Sequence, residues 1–107
     1  MSEVIPFDFE GEAVRCLDID GEPWFVAQDI GRVLGLSNPR KNVSDLDVDE
    51  KGVTTSDTPG GQQKTQIINE SGLYHLIFKS RKPAAKRFRK WVTSEVLPAI
   101  RKTGKYA

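Results

Sequence analysis

The chain has 107 residues, 16 Lys or Arg, 15 Asp or Glu, one His and one Cys, with a formal net charge of +1. That length suits one domain, and the apolar content is that of a globular chain, so a disordered polymer is excluded. A single Cys and a single His rule out an internal disulfide and a structural zinc site, and apolar runs no longer than Trp24 to Ala27 rule out a membrane-spanning helix. The expected protein is cytoplasmic and needs no cofactor.

Ile5, Phe7 and Phe9 alternate with polar residues, the period of a strand with one buried face. Glu10-Gly11 turns the chain, residues 13–19 form a second strand, and Asp20-Gly21 suits a tight hairpin into Pro23 to Val26. Trp24 and Phe25 then point to opposite sides of the third strand. Ala27, Ile30, Val33 and Leu34 follow at helical spacing, with Asp29 in the first turn and Gly35 as the stop. Asn38-Pro39 starts a second short helix reaching about Leu46, and Asp47 to Lys51 is an acidic turn. Pro59-Gly60-Gly61 separates two polar segments that pair as an exposed, mobile-tipped hairpin ending at Ile67 and Ile68.

Asn69 caps a helix through Lys79, with Leu73, Leu76 and Ile77 on its apolar side and Phe78 beside them. Ser80 to Lys82 breaks it. From Pro83 onward Ala84, Phe88, Trp91, Val92 and Val96 line one face of an amphipathic helix, Pro98 kinks or restarts it, and Gly104 ends it. The fold class is α+β: N-terminal antiparallel strands and an exposed hairpin, packed with short helices and a basic C-terminal helix. Cys16 reads as a small buried hydrophobe and His75 as a surface residue without a catalytic partner. Gly60-Gly61 lacks the spacing of a phosphate loop. No enzyme is expected.

The near-neutral total conceals an asymmetry: residues 1–60 carry 13 acidic and five basic groups, residues 61–107 two acidic and 11 basic. Lys86, Arg89, Lys90 and Thr93 recur every three or four residues, and Arg87, Lys90 and Ser94 form an adjacent row on the same broad face. Arg81 and Lys82 precede that helix and Arg101, Lys102 and Lys105 follow it. Like charges so placed repel, and a polyanion relieves the repulsion, which makes these residues candidate phosphate contacts. Phe88 and Trp91 fall on the apolar face, so their periodicity assigns them to the core and not to base stacking.

Residues 21–39 (GEPWFVAQDIGRVLGLSNP) and 68–106 (INESGLYHLIFKSRKPAAKRFRKWVTSEVLPAIRKTGKY) resemble the BRO family N-terminal domain of prophage antirepressors and large DNA viruses. The resemblance implies a single DNA-binding domain, residues 1–107, acting in transcriptional regulation, and leaves open a short protein or one domain of a longer one. The stretch Ala27 to Leu46 also has the rhythm of a helix-turn-helix, whose second helix would offer Asn38, Arg40, Lys41 and Asn42 to base edges. Duplex DNA is the expected partner, favoured over single strands. The rival reading is a protein-interaction module that relieves repression by contacting a phage repressor, with Asp45 to Glu50, Asp18, Asp20 and Glu22 imitating nucleic acid. Head-to-tail self-association of the two charged halves is a third reading.

Overall fold

Two tight turns set up the N-terminal sheet. In the computed structural model, which describes residues 4–58 and 61–103 (backbone only at 56–58, 102 and 103), β1 (Val4–Phe9), β2 (Glu12–Ile19) and β3 (Glu22–Val26) form an antiparallel meander. Phe9 pairs with Glu12 and Ile19 with Glu22, so each connection has two residues. Both residues of each turn have positive φ: Glu10 at 50° and Gly11 at 88°, Asp20 at 53° and Gly21 at 84°. That is the primed turn whose twist matches the strands. The same device steadies both, since Gly11 N–H donates to Asp8 and Gly21 N–H to Asp18.

β3 runs directly into α1 (Ala27–Leu34), which stops at Gly35 in the left-handed region. Ser80 Oγ donates to the free Leu34 carbonyl at 2.7 Å, tying that helix end to a segment 46 residues away. α2 (Pro39–Ser44) follows, capped by Asn38 Oδ1 accepting from Lys41 N–H. It is two residues shorter than the expected extent to Leu46. The acidic turn is a single 3-10 turn, Val48–Glu50, leading into β4 (Lys51–Thr58) and β5 (Gly61–Asn69). β5 inserts beside β3, giving the antiparallel order β1-β2-β3-β5-β4. Pro59 and Gly60 of the expected hairpin tip, like Gly104, lie outside the described residues.

α3 (Glu70–Lys79), capped by Asn69, and α4 (Ala84–Trp91) complete the helical layer. Pro98 lies in the first turn of the last helix, where the helix restarts. A π-helical turn over Val92–Val96 precedes it, with Leu97 N–H bonded to Val92 O, and α5 (Leu97–Thr103) continues. Proline has no N–H to return to residue 94, and the wider turn absorbs that loss.

The main core lies between the sheet and the helices and includes Val14, Cys16, Phe25, Ile30, Ile68, Leu73, Phe88 and Val92. Leu17, Val26 and Ile67 form a smaller cluster, with Trp24 against it. Trp24 and Phe25 thus belong to different clusters, as strand alternation requires. Ala85, not Ala84, is the small residue buried on α4. Phe78 departs most from expectation: it is 91% exposed, because Leu73, Leu76 and Ile77 already fill the narrow face of α3 that meets the core. Burial pushes the Cys16 thiol up to about 12, aided by the Asp29 charge, so it is an inert core group.

Packing of α2 on α1 depends on one glycine. A Cβ at Gly31 would lie 2.8 Å from Pro39 Cβ. Gly31→Ala is therefore expected to lower the unfolding free energy by about 1–3 kcal/mol through overpacking, despite the better helix propensity of Ala, as read by urea denaturation. Unchanged stability would mean that α2 shifts freely on α1.

Candidate nucleic-acid interface

The exposed side of α4 carries the expected cations. Ala85, Phe88 and Val92 face the core, so Lys86, Arg87, Arg89 and Lys90 are turned to solvent. Among the described residues, Arg81, Lys82, Lys86, Arg89 and Lys90 meet no carboxylate within 4.0 Å. All five are solvent-exposed, with Lys86 and Arg89 along one groove and Lys82 in another that Glu10 and Glu12 also line. The Thr93 and Ser94 hydroxyls, expected in the same rows, turn back onto the helix, donating to the Arg89 and Lys90 carbonyls.

Two other expected phosphate contacts already have partners. Arg87 makes a two-pronged pair with Glu10 at 2.9 and 3.2 Å, which raises the guanidinium pKa and lowers that of the carboxyl through the shared hydrogen bonds. Arg101 pairs with Glu70 at 3.1 Å, and Tyr74 donates to the same carboxylate. Both pairs lie at the surface, where a phosphate can compete for the cation at small cost. The Lys102 side chain and Lys105 lie outside the described residues.

Of the four residues expected at base edges, two already have local partners. Asn38 spends its carbonyl oxygen on the α2 cap, and Lys41 approaches Asp45 at 3.5 Å. Arg40 instead lines a groove of about 750 Å³ between α2, the start of α1, β2 and β5. Its other walls carry Arg15, Lys64, Gln28, Gln63 and Gln66. None of these five was singled out from sequence; the only hint was the run Gln62-Gln63-Lys64-Thr65-Gln66, in which nothing needs burial. A second groove, about 560 Å³, runs between α3 and α4, with Ile77 and Ala85 at its base and Phe78, Lys86 and Arg89 along it.

One carboxylate of the acidic half is withdrawn from the surface. Glu50 is buried, accepting from Ser71 Oγ at 2.6 Å and Asp47 N–H at 2.9 Å, with His75 Nδ1 at 2.9 Å. The Ser71 hydrogen bond leads in holding its carboxyl below the ordinary range, and these contacts outweigh the opposing effect of burial. Ser71 donates to Glu50 and not to His75, so the trio holds the acidic turn against α3 instead of activating a hydroxyl. Asp45 is shared by Lys41 and Lys79, and Asp18 closes its own hairpin.

An α+β domain with free cations on one helix and a polar groove beside another is the class that these features define. Residues 13–98 match the model of the BRO family, N-terminal domain, and the chain belongs to that family. It is 48% identical over 103 residues to an uncharacterized protein of Haemophilus influenzae, covering 94% of this chain and 51% of that one. A Bro-N domain-containing protein of Acanthamoeba polyphaga mimivirus is 28% identical over 119 residues, covering 94% of this chain and 48% of its own length. One from Invertebrate iridescent virus 6 is 32% identical over 116 residues, 88% of this chain and 27% of the relative. The chain thus spans about half the length, or less, of these relatives. No solved structure gives a significant match.

Proposed function

We propose that this domain binds duplex DNA within a regulator of phage or viral transcription of the antirepressor type, holding the phosphate backbone through α4. The observation that carries this reading is the row Lys86, Arg89 and Lys90, exposed, adjacent and without a carboxylate partner among the described residues. Like charges at this spacing destabilise a helix unless something opposes them, and a polyanion does so while releasing its own counter-ions. Arg81 and Lys82 lie just ahead of α4 in the chain and are exposed. Membership of the BRO family agrees with a regulatory role in phages and large DNA viruses.

Counter-ion release supplies the test. With about four phosphates neutralised, log K should fall against log salt with a slope of about −3.6. Lys86→Ala/Arg89→Ala/Lys90→Ala should weaken binding to all duplex sequences alike and bring the slope to about −0.9. Anisotropy titrations on a labelled duplex at several salt concentrations read both numbers. A flat salt dependence, or no binding at low salt, would transfer the function to repressor contact through the acidic half.

A further inference from the structure

We infer that the β4–β5 hairpin is a second nucleic-acid element, a ribbon whose Gln66, together with Arg40 across the groove, reads base edges of duplex DNA. The inference rests on the DNA-binding reading above and assigns sequence discrimination to a different surface from the one that supplies affinity.

The geometry begins at the end of β3. Its pairing with β5 runs only through Trp24↔Asn69, Phe25↔Ile68 and Val26↔Ile67, because the chain then turns away as α1. From Gln66 back to Gly61, β5 pairs with β4 alone. A two-stranded ribbon therefore projects past the sheet, and the space vacated by the departing chain is the groove, toward which Lys64 and Gln66 lie on the same strand face as Ile68, with Gln63 and Thr65 on the opposite face. Arg40, on α2, stands on the opposite wall. Two-stranded ribbons and helices are the elements that a major groove admits.

Side-chain chemistry then points to bases. Among the described residues, Gln28, Gln63, Gln66, Arg40 and Lys64 make no side-chain hydrogen bond and no carboxylate lines the groove. A phosphate offers acceptors alone, which suits the lysines and arginines of α4 but leaves the carbonyl of a glutamine idle. A base edge offers donors and acceptors side by side, and glutamine matches adenine with both at once, while arginine matches the two acceptors of guanine. Lys64, on the same wall, suits the flanking phosphate. Arg15 is anchored by Asp29 and contributes its positive charge from a fixed position.

The experiment selects a preferred duplex from a randomised pool with the wild-type chain, then measures Kd for that duplex and a scrambled one. Gln66→Ala should reduce the selected-to-scrambled affinity ratio by about tenfold or more, with little change on the scrambled duplex. Lys86→Ala/Lys90→Ala should weaken both duplexes and keep the ratio. Gln66, Lys86 and Lys90 are exposed, so both variants are expected to retain the wild-type melting temperature. An unchanged ratio in the glutamine variant, or a selection that enriches no sequence, overturns the inference while DNA binding itself stands. A wild-type chain that binds neither duplex at low salt removes the DNA-binding reading and this inference together.

Discussion

Phe88→Ala should lower the unfolding free energy by about 3–5 kcal/mol, measured by urea denaturation. Phe88 is completely buried and meets Phe9 edge-on, ring centroids 5.1 Å apart at 83°. It is the largest fully buried side chain of α4, and truncation leaves a cavity between that helix and the N-terminal strands. Trp91, one turn further on, lies at the edge of the same cluster, 5.2 Å from Phe9 and 6.1 Å from Phe7, and is only half-buried. Trp91→Ala should therefore cost less than Phe88→Ala. The reverse order would show that the outer rings, and not the central one, hold the helix. Phe78→Ala, on the exposed side of α3, serves as the control and should change stability by less than about 0.5 kcal/mol.

Asp29→Ala is expected to cost about 3 kcal/mol, because it leaves several donors without their acceptor. The buried carboxylate accepts from Arg15 N–H at 2.9 Å and from the Arg15 guanidinium at 2.8 and 2.9 Å, with Arg32 at 3.4 Å. Arg32 continues to Glu12 and to the Ala13 carbonyl, so a single carboxylate on α1 fastens the helix to β2. The cost falls at the lower end of the range for broken buried pairs because the Arg15 side chain is 46% exposed and can regain water. Burial pushes the Asp29 carboxyl upward, but the hydrogen bonds and charges of Arg15, helped by Arg32, outweigh it and leave the pKa below the ordinary value.

The pH dependence follows from that sign. Near pH 4 the unfolded chain binds more protons at Asp29 than the folded one does. The carboxylate's contribution is complete above the ordinary carboxylate range and disappears as pH falls through the depressed folded value. Glu50 acts in the same direction. Asp29→Asn should thus lose less stability than wild type between neutral pH and about pH 3.5. An equal loss in the two proteins would place the acid sensitivity elsewhere.

Local chemistry made much of this fold legible. Positive φ is needed at Glu10-Gly11 and Asp20-Gly21, free N–H groups at helix starts call for Asn38 and Asn69, and Gly35 suits a left-handed helix end. Each requirement is met within about four residues, so spacing alone places the turn or cap. The amphipathic period of α4 likewise identified Phe88 as core and Lys86, Arg89 and Lys90 as surface, because burial and solvation act on opposite faces of one helix.

Tertiary structure decided what depends on neighbours distant in the chain. Whether a cation is free or spent is settled by residues such as Glu10, 77 positions from Arg87, and Glu70, 31 from Arg101. No helical period could show that Phe78 lies outside the core, since the limit is the width of the face that α3 presents to its neighbours. The groove beside Arg40 exists because β3 ends at Val26 while β5 extends past it, a mismatch that only strand pairing reveals. The sequence by itself determined the elements and the charge on each, through short-range backbone and solvation requirements. Packing determined which charges and amides were left without partners, because pairing is a property of assembled surfaces.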